Sequence, residues 1–320
     1  VISKQAKINE KVSIIGAGSV GAMLAQRILE HDLADVVLLD IDIDLCRAKV
    51  SDLEDAAPIM GYERGIKATK DYKDIKYSDI VVITAGLTRK PGMSREDLIR
   101  TNGAIVSTVT RNIKEFAPES IIIVVTNPLD IMTYIAYKES GFDRNRVMGM
   151  AGVLDSARCS NLAAEKLGVK KTEAESVVIG SHDKKMVPLM RFSKSQGQPL
   201  ETLLEERDRK TLIERVRGRG AEIVSLLKRG SAFFAPSAAC FSMVKSIIKN
   251  EHVKQCASVY LDGEYGIKEV CLGLPVILGK KGVINIIELD LSENESAEFR
   301  MAAENAKSTL KKLSISNEES

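Results

Sequence analysis

Three glycines and an acid offer the first recognisable chemistry in this sequence of 320 residues. Gly16-Ala17-Gly18-Ser19-Val20-Gly21 fits G-x-G-x-x-G, and Asp40 follows about 20 residues later. At this spacing Gly16 permits a tight turn, Gly18 lets a phosphate approach the backbone, and Gly21 lets a helix pack closely on a strand. The backbone N–H groups from Ala17 through Ser19 and Val20 to Gly21 then suit a pyrophosphate, because a helix N-terminus carries partial positive charge. A carboxylate at Asp40 can accept hydrogen bonds from a ribose diol and would repel a 2′-phosphate. The pattern therefore predicts NAD rather than NADP. The glycines alone could equally mark a plain turn, so the flanking elements decide.

Lys11 to Ile15 is a short apolar run with two isoleucines and reads as a buried strand. Ala22 to Leu29 reads as helix, and Asp35 to Leu39 as a second strand that ends at Asp40. Strand, glycine loop, helix, strand and acid make a dinucleotide-binding βαβ unit. Residues 41–58 are helical in pattern and are expected to end near Pro58. Asp79 to Thr84 is a further buried strand, closed by Ala85-Gly86. A basic loop follows, Thr88 to Arg95, with Pro91 and Gly92 inside it. A long helix is predicted over Arg95 to Phe116, a strand over Ser120 to Thr126, a helix over Leu129 to Ser140, and a short strand over Arg146 to Met150. This alternation predicts a parallel, doubly wound sheet of the Rossmann type. Ligands bind outside the C-terminal ends of such strands. The glycine loop, Asp40, the loop from Thr88 to Arg95, and Asn127 all fall there.

After Ala151 the texture changes. Val177 to Ile179 and Lys185 to Arg191 flank a polar turn, and Arg209 to Leu227 carries apolar residues at near-helical spacing. Ser258–Leu261, Lys268–Leu272, Pro275–Leu278 and Val283–Ile287 read as antiparallel strands, with Gly279 to Gly282 as a turn. A charged amphipathic helix over Ser292 to Leu313 closes the chain. The expected class is α/β: an NAD-binding domain over 1–151, then an α+β substrate domain with antiparallel strands over 152–320.

Composition narrows the function. A net charge of +2, with 44% hydrophobic and 28% charged residues, is ordinary for a globular protein. The basic run around Arg207 to Arg219 is interleaved with Glu201, Glu205, Glu206, Asp208 and Glu214, so it reads as a solvated helix face. Tryptophan is absent and aromatics are 4%, which argues against stacking on nucleic acid. No apolar run approaches bilayer length, and the first ten residues lack the apolar core of a signal peptide. The five cysteines are scattered without C-x-x-C spacing, so neither a metal site nor a disulfide framework is expected. A reducing cytoplasm fits best.

Several longer motifs resemble the malate/lactate dehydrogenase family, specifically its lactate-dehydrogenase-like malate dehydrogenases. They are the glycine loop with Asp40, Gly86-Leu87-Thr88-Arg89-Lys90-Pro91-Gly92-Met93-Ser94-Arg95, Val125-Thr126-Asn127-Pro128, Gly152 to Arg158, and His182 with Met186-Val187-Pro188. The resemblance covers the chain from about Lys11 to Leu313. It implies hydride transfer between NAD and a 2-hydroxy acid, for which each residue type is chemically apt. His182 is the expected proton carrier, since imidazole titrates near neutral pH. His31 and His252 follow a helix and lie in a polar connection. Asp155 resembles the carboxylate that orients the imidazole; its plainer use would be as a helix N-cap before Ser156. Arg158 matches the residue that grips the substrate carboxylate bidentately. Arg95 matches the loop arginine that polarises the ketone oxygen, which Asn127 also contacts. Val125 and Asn127 would line the nicotinamide side, Asn102 matches a further cofactor contact, and Thr126 is counted among the cofactor-binding residues.

Arg89 bears on the substrate. Lactate-type relatives carry glutamine here, and malate-type relatives carry arginine facing a second carboxylate. The resemblance therefore implies malate and oxaloacetate, with lactate or a broader 2-hydroxy acid as the alternative. Gly92 could hinge the loop as it closes and expels water. One departure stands out. Relatives follow the histidine with Gly-Asp, whereas here Asp183-Lys184-Lys185 follows His182, and Ser181 replaces a common glycine. The expectation is that position 183 needs an unusual backbone conformation, which aspartate tolerates better than most residues. An NAD-binding protein with a decayed catalytic loop is the second alternative. The family also implies a homotetramer, or else a homodimer.

Overall fold

The computed structural model of the chain describes residues 10–88 and 92–318, and side chains up to residue 313. The apolar runs become parallel strands: β1 (Lys11–Ile15), β2 (Asp35–Leu39), β3 (Ile66–Thr69), β4 (Ile80–Ile83), β5 (Ile121–Val124) and β6 (Val147–Gly149). Strands β4 and β5 are buried along their whole length, as a sheet covered on both faces requires. The order β3-β2-β1-β4-β5-β6 reverses direction between β1 and β4. Ile15 pairs with Leu39 on one side and Ile83 on the other, so these strands end level. Gly16, Asp40 and Thr84 are thereby brought to one crevice.

Helices α1 (Ser19–Glu30), α2 (Ile43–Met60), α3 (Arg95–Phe116) and α4 (Leu129–Ser140) lie between these strands in sequence, and α5 (Gly152–Leu167) follows β6. Two details differ from the sequence reading. Helix α2 does not stop near Pro58 but runs to Met60 and ends at Gly61, which has φ +78°. Pro58 sits in the last turn, where its missing N–H deprives only the carbonyl of solvent-exposed Glu54. Strand β3 was not foreseen, because a half-buried edge strand with Lys67 in it carries little apolar signal.

The second half begins with short strands, β7 (Ala174–Glu175), β8 (Val178–Ile179), β9 (Val187–Pro188), β10 (Lys194–Ser195) and β11 (Gln198–Pro199). Then come α6 (Leu200–Leu203), α7 (Glu206–Leu227) and α8 (Phe234–Ile248). The chain ends with β12 (Val253–Asp262), β13 (Lys268–Gly279), β14 (Gly282–Ile286) and α9 (Glu293–Glu318). Segments 268–272 and 275–278, read as two strands, form the single strand β13. Pro275 gives up one N–H, but its carbonyl still accepts from Ile287 N at 2.8 Å. Strand β12 pairs antiparallel with β6, Ser258 opposite Gly149, so the antiparallel strands extend the parallel sheet to nine strands.

That junction is tight. A Cβ on Gly149 would collide with Thr133 Oγ1, sit 2.6 Å from Leu129 Cδ2, and approach Ser258 Cβ to 3.1 Å. The α4 helix can lie on β6 only because this side chain is missing. Gly149→Ala is therefore expected to cost about 1–3 kcal/mol of stability through overpacking. The urea midpoint should fall with an unchanged slope, and a midpoint equal to the parent's would refute this packing.

Candidate active site

Strand β1 delivers the glycine loop. Gly16 has φ +111° and donates its N–H to Leu39 O at 2.7 Å. A Cβ there would lie 2.7 Å from both Ala85 N and Thr84 Oγ1, and one on Gly21 would strike the Gly16 carbonyl. These two glycines serve internal packing. Gly18 does not: nothing lies within 4 Å of the position its Cβ would take. It is the N-cap of α1 and makes no side-chain capping bond, so Ser19 and Val20 begin the helix with uncapped amides. Asp40 lies across the mouth of the loop. Its Oδ2 accepts from Ala17 N at 2.6 Å and its Oδ1 from Asp42 N at 3.0 Å. Lys49 Nζ donates to Ala17 O at 2.5 Å and steadies the same turn. The open space at Gly18, the uncapped amides and the fixed carboxylate fit a dinucleotide with a free ribose diol.

The ends of β4 and β5 form the floor. Val125 and Thr126 are buried, and Thr126 Oγ1 donates to Ala85 O at 2.7 Å. Asn102, on α3, is 1% exposed. Its Oδ1 accepts from Leu87 N at 2.8 Å, and its Nδ2 donates to Leu87 O at 3.1 Å and Asn127 O at 2.7 Å. The side chains of Asn102 and Thr126 thus hold the two loops in place, while Asn127 is exposed at the strand end.

Helix α5 supplies the next pair. Asp155 and Arg158 are one turn apart and face the same way. Asp155 is not an N-cap, since Ala151 holds that position and Asp155 lies inside the helix. Ser156 Oγ accepts from Val178 N at 3.1 Å, which fixes α5 against β8. His182, in the loop between β8 and β9, places Nδ1 2.7 Å from Asp155 Oδ2. Their side chains are 12% and 3% exposed. With Nδ1 engaged by the carboxylate, Nε2 is the nitrogen left for a substrate. Burial pulls the imidazole pKa down, but the charge and hydrogen bond of Asp155 and the charge of Asp130 outweigh it. The net direction is upward, against a small opposing push from Arg158.

Arg158 Nη1 is 3.5 Å from Asp155 Oδ1, and the buried Arg158 Nε has no hydrogen-bond partner among the described residues. A buried, unpartnered guanidinium N–H fits an anionic ligand. Gly220 of α7 lies beside the guanidinium: a Cβ there would stand 3.6 Å from Arg158 Nη1, at ordinary contact distance. A cluster including Cys159, Leu162, Met186, Leu212 and Val216 packs α5 against α7 beside the histidine loop.

The loop carrying Arg89, with Lys90 and Pro91, lies outside the described residues. Beyond it Gly92 has φ +84°, and Ser94 and Asp97 close a capping box at the start of α3. Arg95 is the first residue of that helix. It is 63% exposed, with Nη2 3.8 Å from Asp183 Oδ2. The backbone expectation for Asp183 is corrected: the left-handed residue here is Gly180, at φ +87°, and not position 183. Asp183 Oδ1 instead accepts from Ser181 Oγ at 2.7 Å and from Lys185 N at 2.8 Å, closing a compact turn. The departure from the family pattern leaves the His182–Asp155 contact intact.

The sequence reading missed Asp130 and Ser258. Asp130 Oδ2 accepts from His182 N at 2.7 Å, and Asp130 Oδ1 accepts from Ser258 Oγ at 2.7 Å. Asp130 was visible only as an acid in the first turn of α4. Among the described residues no group of His, Cys, Asp and Glu could hold a metal ion, and no helix is long and apolar enough to cross a membrane.

Fold and glycine loop together define a dinucleotide-binding protein of the doubly wound class. The model of the lactate/malate dehydrogenase NAD binding domain matches residues 10–149, and that of the lactate/malate dehydrogenase alpha/beta C-terminal domain matches 152–315. The chain is 48% identical to the malate dehydrogenase of Methanosarcina barkeri over 305 residues, covering 95% of this chain and 99% of that relative. The malate dehydrogenase structure from Cryptosporidium parvum superposes with a TM-score of 0.93 at 34% identity, covering 96% of this chain and 100% of that one. The lactate dehydrogenase of the same organism, solved with lactic acid and NAD, gives 0.92 at 33% identity, covering 96% and 98%. The chain belongs to the lactate/malate dehydrogenase family, and it is an NAD-dependent dehydrogenase.

Asp40 gives the sharpest test of the cofactor site. Asp40→Ser is expected to reduce the preference for NAD over NADP by roughly 10- to 100-fold, the scale of a lost charged hydrogen bond. The measurement is kcat/KM with each cofactor. An unchanged ratio would contradict the placement of the ribose.

Proposed function

We propose that the chain catalyses the reversible oxidation of (S)-malate to oxaloacetate, with His182 as proton carrier and Asp155 as its partner. The observation that carries this reading is the buried His182–Asp155 contact beside an arginine with an unpartnered N–H. Backbone similarity does not choose the substrate, because a malate and a lactate dehydrogenase fit almost equally well. The choice rests on Arg89 and on the near-full-length identity to malate dehydrogenases. A dicarboxylate buried without a second counter-charge would cost several kcal/mol.

Each side chain has one task. Arg158 binds the carboxylate next to the reacting carbon, through a guanidinium already aligned by Asp155. Arg89 binds the second carboxylate. The imidazole Nε2 of His182 accepts the hydroxyl proton of malate, and Asp155 stabilises the imidazolium that forms. Bound NAD supplies the acceptor for the hydride that leaves the same carbon. Arg95 and Asn127 stabilise the substrate oxygen as it becomes a carbonyl, and in the reverse direction as negative charge grows on it. Loop closure about Gly92 would bring Arg89 and Arg95 in and exclude water.

We place the division between cofactor and substrate domains at residues 151 and 152. A homotetramer is the proposed assembly, with a homodimer as the alternative. Apolar side chains exposed on α2, Ile59 and Met60, and near the α7–α8 connection, Leu226 and Phe234, support burial against other copies. A cytoplasmic setting agrees with five free, buried cysteines.

Two variants test the assignment. Arg89→Gln should lower kcat/KM for oxaloacetate relative to pyruvate by an amount on the order of 3–5 kcal/mol if the closed site is dry. An unchanged ratio would show that Arg89 does not face the substrate. His182→Asn should slow oxaloacetate reduction by about 10²–10⁴-fold while NADH binding stays near normal. Turnover equal to the parent's would remove His182 from the reaction. A parent that binds NADH but reduces neither oxaloacetate nor pyruvate would favour the binding-protein alternative.

A further inference from the structure

We propose that Asp130 is a positioning residue for the proton carrier: its carboxylate fastens the His182 backbone to α4 and β12 and sets a second negative charge beside the imidazole. The inference rests on the reading of His182 given above. Asp130 stands three residues beyond Asn127, so the passage from β5 into the first turn of α4 carries both the amide assigned to the substrate and the carboxylate that meets the histidine loop. Asp130 is 7% exposed and Ser258 fully buried. One carboxylate oxygen holds His182 N and the other holds Ser258 Oγ, each at 2.7 Å. Ser258 pairs with Gly149 across the β6–β12 junction. The carboxylate therefore ties together three segments far apart in sequence, at the one residue whose ring must keep its aim.

Charge adds to geometry. Asp155 shares its charge with Arg158, 3.5 Å away. Asp130 makes no ion pair with a lysine or arginine among the described residues. The groups acting on it are His182 and Asp183 from the loop, together with its bonds to His182 N and Ser258 Oγ. From α5 come Asp155 and Arg158, which face His182, and from β13 comes Cys271, which feels the Asp130 charge. Burial pushes the Asp130 carboxyl up to about 6, against its two hydrogen bonds and the His182 charge, which lower it. Above that pH it is an anion whose charge acts on the imidazole, so it favours protonated His182. Reduction of oxaloacetate needs the protonated ring. Asp130 thus extends the pH range of reduction upward.

Asp130→Asn separates charge from shape. The amide oxygen can still accept from His182 N, and the amide nitrogen can donate to Ser258 Oγ as the hydroxyl turns. The expected result is a downward shift of about one pH unit in the midpoint at which kcat/KM for oxaloacetate falls with rising pH. NADH binding should match the parent's. Ser258→Ala keeps the charge but frees one oxygen, and should lower the low-pH plateau of kcat/KM about tenfold through a misaligned ring. A parent-like midpoint in Asp130→Asn would reduce Asp130 to a structural bridge and overturn the charge claim. A parent-like plateau in Ser258→Ala would overturn the positioning claim, and it decides the matter alone if Asp130→Asn does not fold. If oxaloacetate reduction survives His182→Asn, the underlying assignment fails instead, whatever the Asp130 variants do.

Discussion

The contact between His182 Nδ1 and Asp155 Oδ2, 2.7 Å long and almost closed to water, sets the requirements for the surrounding structure. A buried imidazolium is tolerable only beside an anion, and a buried carboxylate only beside a cation or donors. Removing either partner of such a pair leaves the other uncompensated, at a cost of about 3–5 kcal/mol. Everything near the pair limits its freedom. Ser156 Oγ fixes α5 to β8, the Asp155 carboxylate is flanked by Arg158, and Asp130 holds the His182 backbone. Rigid supports of this kind are what allow a proton to be delivered to one atom and not to its neighbours.

The sheet brings the two halves of the chemistry together. At the β1–β4 reversal, the glycine loop and Asp40 bring amides and a carboxylate to one crevice, the place proposed for the dinucleotide. At the other side of the crevice, β6 pairs with β5 and also with β12. The continuous ladder carries the second half of the chain on the same frame as the first. Small residues make that possible, since Gly149 lies against Thr133 and Leu129, and Gly152 against Cys256. Asn102 then joins the loops after β4 and β5, so the ends of the strands form one surface rather than separate tips.

Local chemistry was legible in the sequence and distant pairing was not. The glycine loop, the alternating strands and helices, and the bounds of α3 at Arg95 and Phe116 were all readable, because turn residues and apolar periodicity report on their own neighbourhoods. The sequence reading went no further there than an N-cap at Asp155, so the shared face of Asp155 and Arg158 emerged only with helix α5. Asp130 could not be placed beside His182, since their contact spans 52 positions, nor beside Ser258, 128 positions away. Helix α8 went unread because Phe234 to Ile248 is apolar almost all round, packed between α1 and β13, and so has little periodic contrast. Segments 268–272 and 275–278 were read apart, but β13 runs through both and absorbs the missing N–H of Pro275. At position 183 a preference for unusual backbone was expected, whereas Gly180 already makes the turn.

The proton-carrier claim is tested most directly by following His182 itself. The chain has three histidines, so a nitrogen-labelled sample gives a simple imidazole spectrum, and His182→Asn assigns the signal that disappears. The account predicts that this ring titrates above the ordinary histidine value of about 6.5. It also predicts that Nδ1 keeps its proton against Asp155 in the neutral form, with Nε2 gaining and losing the second. A midpoint at or below that ordinary value, or a neutral ring protonated on Nε2, would contradict the central place given to the His182–Asp155 pair.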